Sequence, residues 1–510
     1  MSESQDPLSY PPIDPVNFDL IIVGTGLSES VVAAAASAAG KTILHLDPNS
    51  FYGSHFASLS FLDFTSYLTS PNPLPAVVTT TDSEYVVVDL VHQPICSDVE
   101  ISCYDEYSFL CENSRKFNID LGGPRALFSA DRTIDLLLKS GAAQYLEFKG
   151  IDESFVYEPN GGLANVPDSR GAIFRDKKLS LKEKNQLMRF FKLVQQHLDD
   201  NQEEKISEED MEIPFVSFLE KMKLPPKIKS FPNAPGALLY PIYGEGELSQ
   251  AFCRRAAVKG CIYVLRMPVV SLLMDKATGL YKGVRLASGQ DLYSQQLILD
   301  PSFTIPSPLS LSPRDFPCER LQMLSQRDIK GMVARGICIT RSSIKPDVSN
   351  CSVVYPPRCF FHSHCIFYIV RWPQDSDCYS HSLRLNFILY FSTLCNNADE
   401  GKNLLKAAMN ALLTLPVSGN TESISSIQSD SEDTKPIVLW SALYIQKLIV
   451  SNFELISSTS TPDGHLNYND LLDASEKLFR QMYPNEEFFP KATSPEDPTD
   501  EDDNGLTLDS

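Results

Sequence analysis

Positive charge is scarce in this 510-residue chain: 44 Lys and Arg face 65 Asp and Glu, a formal charge of −21. That deficit argues against nucleic acid or an anionic membrane surface as the main partner and permits association with basic protein surfaces. Long apolar runs are missing too. No stretch reaches the roughly 18 to 20 uninterrupted apolar residues that a bilayer span needs. Neither end carries a lipidation signal, so any lipid chemistry concerns a ligand or partner, with only transient membrane contact. Met1 to Asn17 is a polar, proline-rich lead without a secretory pattern, which predicts that the 12 irregularly spaced cysteines are reduced in the cytoplasm. Also lacking are a phosphate loop of the GxxxxGK(S/T) type, a catalytic carboxylate pair and a Ser/His/Asp arrangement. The expectation is a chain that performs no chemistry of its own.

What is present is organised around Phe18 to Asp47. Leu20 to Val23 form a short apolar run ending at Gly24 and Gly26. An alanine-rich helix from about Glu29 to Ala39 stops at Gly40, and Thr42 to Leu46 resume an extended pattern. The spacing opens a dinucleotide fingerprint, with Gly24 for the turn, Gly26 for close backbone approach and Asp47, twenty-one residues on, for a ribose hydroxyl. The third glycine is absent. Glu29 stands in the first helical turn, where its carboxylate satisfies orphan N–H donors and repels a phosphate. The reading is a nucleotide fold whose phosphate seat is filled, so no cofactor is expected; a flavin-dependent oxidoreductase of the amine-oxidase type is the alternative from another class.

The continuation, Asp47-Pro-Asn-Ser-Phe-Tyr-Gly53 and then Ser54 to Phe61 (SHFASLSF), resembles the Rab GDP-dissociation inhibitor and Rab escort protein superfamily, with Ala57 to Phe61 similar to the escort branch. So do Tyr240 to Gln250 (YPIYGEGELSQ), Asp300-Pro-Ser302, Ala474 to Phe479 (ASEKLF) and Tyr483 to Pro490, giving five blocks between about residues 18 and 490. The resemblance implies an α/β (α+β) fold: an FAD/NAD(P)-binding-like, Rossmann-type domain with a β-meander and an inserted, smaller helical domain.

Pattern divides the chain accordingly. Residues 1–17 are a flexible lead, 18–130 and 231–490 a discontinuous nucleotide-fold-like domain, 131–230 the helical insert and 491–510 an acidic tail too polar to order. In the insert, Ile134, Leu137 and Leu138 share a face. Ser180-Leu-Lys-Glu183 is a capping box, followed by Leu187, Phe190, Phe191, Val194 and Leu198 at helical steps. Phe215 to Met222 reads as a third helix. Cys261–Leu265, Val269–Asp275, Gly283–Leu286 and Gln296–Asp300 read as a meander and a strand, whereas 91–114 shows little periodicity.

By resemblance, Tyr52, Glu247 and Arg254 grip the Rab GTPase through oriented, charge-assisted contacts, although Glu247 and Arg254 across a loop-to-helix junction could equally cap their own helix. Phe190 matches a phenylalanine that docks into the prenyltransferase in escort proteins; an aromatic at helical spacing serves a core equally well. Leu187, Val194 and the helix from Asp131 would line a cleft for a geranylgeranyl chain. At about 0.8 kcal/mol per CH₂-sized unit, such a chain needs an apolar host. The implied partners are GDP-bound Rab GTPases, the Rab geranylgeranyltransferase αβ heterodimer and the prenyl lipid on Rab. A GDP-dissociation inhibitor that recycles prenylated Rab is the neighbouring alternative. Relatives carry a longer stretch where this chain has Leu224 to Tyr240. Cys359, His362, His364 and Cys365 fit no common zinc spacing and, among aromatics, read as a core strand; no metal is expected.

Overall fold

A computed structural model describes residues 11–70, 84–105, 107–123, 125–129, 131–158, 161–165, 170–177, 179–198, 206–207, 218, 221–222, 238–304, 328–345, 348, 350–355, 365–372, 386–416, 435–450 and 456–490. The apolar run of the opening block becomes the strand Asn17–Val23, central to an eight-stranded sheet. Ile43–Asp47 and then Ile262–Leu265 lie parallel on one side of it, and Asp291–Leu299 lies parallel on the other. The sheet continues antiparallel through Tyr281–Leu286, Val269–Asp275 and Tyr85–Asp89. Asp291–Leu299 is long enough to bond two further strands in succession, Tyr281–Leu286 through its first half and Ile456–Ser458 through its last residues.

Both faces of this sheet are covered, which explains the unbroken hydrophobic run. Leu20 and Ile22 point into a core with the helices Leu27–Ala38, Gly246–Val258 and Asn469–Met482, while Ile21 and Val23 point into the core shared with the meander. The alanines 33 to 36 are fully buried because the first helix packs closely on Ala251, Phe252 and Ala256.

A second eight-stranded sheet runs in the order Leu163–Asn165, Glu153–Tyr157, Cys351–Tyr355, Cys365–Trp372, Asn386–Cys395, Asp328–Thr340, Val438–Val450 and Cys96–Cys103. Ile337 and Ile339 face one core and Cys338 the other, where the Ala398–Leu412 helix buries Leu405 and Met409. The two sheets with their helices match the expected α/β (α+β) class.

Three sequence expectations are corrected. Cys261–Leu265 does not open the meander: its strand, Ile262–Leu265, joins the parallel edge beside Ile43–Asp47 directly after the Gly246–Val258 helix. The unpatterned stretch 91–114 contains the edge strand Cys96–Cys103 and the helix Tyr107–Glu112. Asp98 at φ 53 and a register shift opposite Leu443 and Ile445 interrupt the strand's period. The interval 131–230 is not all helical. Phe148–Gly150, Glu153–Tyr157 and Leu163–Asn165 are sheet strands, and Leu137 of the Arg132–Ser140 helix is buried in the core of the first sheet's helices, not beside Leu187. Only from Arg170 does a separate helical cluster begin, around Ile173, Leu179, Leu187 and Phe218. The Ser180 capping box forms as expected, with Ser180 N–H donating to Glu183 at 2.7 Å and Glu183 N–H to Ser180 Oγ at 3.3 Å. The side chain of Val194, residues 359–364, most of 215–222 and the segment 223–237 lie outside the described residues.

Candidate functional site

Gly24 takes φ +100 at the end of its strand, and Gly26 caps the Leu27–Ala38 helix. Glu29 sits where the fingerprint's third glycine would leave room. Its Oε2 lies so close to Gly26 that a Cβ there would meet it at 2.5 Å, and its Oε1 accepts a short hydrogen bond from Thr459. Burial, followed by the charge of Asp300, pushes its carboxyl up to about 8. The expected electrostatic repulsion is therefore corrected: near neutral pH this side chain is largely protonated and blocks the seat by its volume.

Asp47 is equally occupied. Its Oδ2 accepts from Thr25 N–H at 2.8 Å, Thr25 Oγ1 at 2.6 Å and Ser54 Oγ at 3.0 Å, and its Oδ1 from Asn49 N–H at 2.8 Å. A ribose would have to displace the chain's own donors. His45, in the second strand, contacts the Gly24 carbonyl through Nε2 at 2.5 Å, and burial holds its ring down to about 4. Among the described residues none here offers a cationic phosphate partner, and with the seat filled by Glu29 and Asp47 already bonded the arrangement does not fit a dinucleotide.

Glu29→Gln tests this. A carboxyl raised from 4.5 to about 8 keeps its proton in the folded state, so its stabilising contribution is full below the unfolded pKa and is lost as pH rises through about 8. Denaturant titrations should show the two proteins about equally stable near pH 4 and the variant more stable by roughly 4–5 kcal/mol above pH 8, the gap opening between about pH 4.5 and 8.

The second constellation lies around the Gly246–Val258 helix. Glu247 and Arg254 both belong to this helix, correcting the expected loop-to-helix junction, and seven residues put them on one face two turns apart. Glu247 is half-buried and accepts Tyr243 N–H at 3.1 Å. Arg254 is exposed, with its guanidinium 4.7 Å from the Tyr145 ring centre. Tyr52 packs on Tyr263, ring centres 6.0 Å apart, in the strand that follows this helix, and Tyr263 in turn meets Cys253 of the helix.

The helix start is fixed from below by residues that sequence reasoning missed. Asp120 accepts Ser58 Oγ at 2.5 Å, Glu245 N–H at 3.0 Å and the Tyr240 hydroxyl, and Gly246 N–H donates to Ser58 at 2.8 Å. The buried Glu245 carboxyl is pushed up to about 8 by burial and Asp120, against the pull of Arg125 and Arg335. Arg335 donates to Gly123 O at 2.7 Å, Asp463 O at 2.6 Å, Ser392 at 3.0 Å and Gln446 at 3.0 Å; Arg125 binds Asp463 at 2.5 Å. These two guanidiniums tie the second sheet and the 123–125 loop to the 463 turn. Asp463, His465 and Asp470 bring ligand atoms within 4.8 Å of one another, yet Asp463 is already neutralised by Arg125.

Phe190 is half-buried and packs on Phe191 and Phe218 at 5.8 and 6.5 Å, beside the buried Leu187.

The GDP dissociation inhibitor family matches residues 15–102, 104–213 and 205–343. The chain belongs to this family. Among curated relatives it is 50% identical to Rab escort protein 1 of Arabidopsis thaliana, covering 97% of this chain and 98% of that one. It is 26% identical to the Rab proteins geranylgeranyltransferase component A of Drosophila melanogaster, over 95% and 92% of the two chains. A solved Rab GDI from Plasmodium falciparum superposes with a TM-score of 0.62 at 18% identity, covering 92% of this chain and 99% of that chain, which establishes the family fold. No described helix is long and apolar enough to cross a membrane.

Proposed function

We propose that this chain is a Rab escort protein, the non-catalytic substrate-binding component of Rab geranylgeranyltransferase. It binds unprenylated, GDP-bound Rab GTPases, presents their C-terminal cysteines to the catalytic αβ heterodimer, and shields the prenyl groups in the cytoplasm until membrane delivery. The observation that carries the reading is the 50% identity to the Arabidopsis Rab escort protein 1 along nearly the whole of both chains.

Tyr52, Glu247 and Arg254 form the Rab platform in this reading. The half-buried Glu247 and the exposed Arg254 on one helical face support it, since charge-assisted contacts need access on one side and a fixed base on the other. Phe190 is assigned to the transferase contact, and Leu187 with Val194 to the prenyl cleft; the separate helical cluster from Arg170 onward supports an insert that works apart from the sheets. The filled seat at Glu29 and Asp47 disfavours the flavin-enzyme alternative.

Reconstitution with a GDP-bound Rab, geranylgeranyl diphosphate and the catalytic heterodimer tests the proposal. Prenyl incorporation should require this chain. If the heterodimer fails to bind it while prenylated Rab does, the chain is a GDP-dissociation inhibitor instead.

A further inference from the structure

A cavity of about 530 Å³ opens at the carboxyl edge of the parallel strands, between the Phe61–Thr69 helix and the turns that follow Val23, Asp47 and Leu299. Open parallel sheets bind their ligands at this edge. Glu29 and Thr459 plug the helix start, but neither borders the cavity.

Three features define what it would accept. None of the described residues lining it is Lys or Arg, which disfavours a phosphate. Two aromatic pairs stand in its wall: Phe51 with Tyr67, ring centres 6.2 Å apart, and His92 with Phe303 at 5.5 Å. The third is Asp300, only 3% exposed. It accepts His55 Nε2 at 3.0 Å, Ser302 N–H at 2.8 Å and Ser302 Oγ at 2.5 Å, all on Oδ1. Among the described residues none donates to its Oδ2, which lies at the Gly24 wall. Burial alone would neutralise this carboxyl, but His55 and Ser302 hold it down to about 2, so it carries its charge. Tyr67 extends the chain of contacts to His55 Nδ1 at 2.9 Å, and the exposed Asp63 adds a second carboxylate to the lining.

We propose that this cavity binds an organic cation, an ammonium or guanidinium group that sets its charge against Asp300 Oδ2 and its stem among Phe51, Tyr67 and Phe303. A carboxylate without its full complement of donors, walled by aromatic faces, is suited to such a group. The same chemistry is offered by a free polyamine and by a Lys or Arg side chain of a bound polypeptide.

Calorimetric titration of the full-length protein with agmatine and with Nα-acetyl-arginine amide, against AMP and acetate as anionic comparators, tests the assignment. At least one cation should bind saturably and ten or more times more tightly than AMP. Preference for agmatine indicates a free amine, and preference for the capped arginine a polypeptide side chain. Asp300→Asn should weaken binding at least tenfold. Ser66→Trp, at an exposed position of the lining helix, should fill the cavity and abolish binding without touching the core. The second variant decides should the first fail to fold. Unchanged cation binding by Ser66→Trp, AMP binding as tight as either cation, or no saturable cation binding up to about 10 mM would overturn the proposal.

Discussion

Replacing Glu247 and Arg254 together by alanine should lower affinity for a GDP-bound Rab about a hundredfold, roughly 2.7 kcal/mol. Both side chains rise from one face of a helix whose start is pinned by Asp120 and Ser58, so the loss reports contacts to the partner and not a displaced helix. The folded chain itself loses less. Arg254 gives up a cation–π contact with Tyr145 at an exposed site, worth about 0.5–1 kcal/mol, and Glu247 a hydrogen bond of similar worth. Calorimetry on the Rab complex beside thermal unfolding of the free protein separates the two effects. A drop in affinity of threefold or less would remove these residues from the platform. Restoring Glu247 alone should recover part of the loss, since neighbouring interface contacts are rarely additive.

Gly24→Ala should destabilise the fold by about 2–5 kcal/mol. The backbone there has φ +100, which costs a residue with a Cβ about 1–2 kcal/mol. The added carbon would also lie 2.6 Å from Asp300 Cβ. Asp300 cannot yield cheaply, because His55 and Ser302 hold its carboxylate, and overpacking such a site adds about 1–3 kcal/mol. Gly260→Ala is the comparison: its φ is +96 but no atom lies within 4 Å of the added carbon, so it should show the backbone cost alone. Chemical denaturation of both variants measures the difference.

Much of the first sheet was legible because local pattern and global fold agree there. The run Leu20 to Val23, the two glycines and the alanine helix are contiguous, and each requires the next. The capping box at Ser180 and Glu183 was legible for the same reason. The meaning of Glu29 was only half readable: its place in the first turn is local, but its protonation depends on burial and the charge of Asp300, against the pull of Thr459, 430 residues away. Asp300-Pro-Ser302 was visible as a block and carried no assigned chemistry; a buried acid after an apolar strand was the available signal. Arg125 and Arg335 gave no sign, since an arginine read in isolation looks exposed and only folding brings Gly123, Gln446 and Asp463 around it. Cys96–Cys103 was missed because Asp98 disrupts the alternation by which a strand is read.

The pairing of Ile456–Ser458 with Asp291–Leu299, the Thr459 contact to Glu29 and the Asn469–Met482 helix against the first helix have a consequence for biosynthesis. The amino-terminal half leaves the ribosome first, yet its core stays unfinished until nearly the whole polypeptide has been translated. A message truncated after the codon for Val450 would therefore damage the beginning of the protein more than its end, and nascent chains would wait with one face of their first helix uncovered.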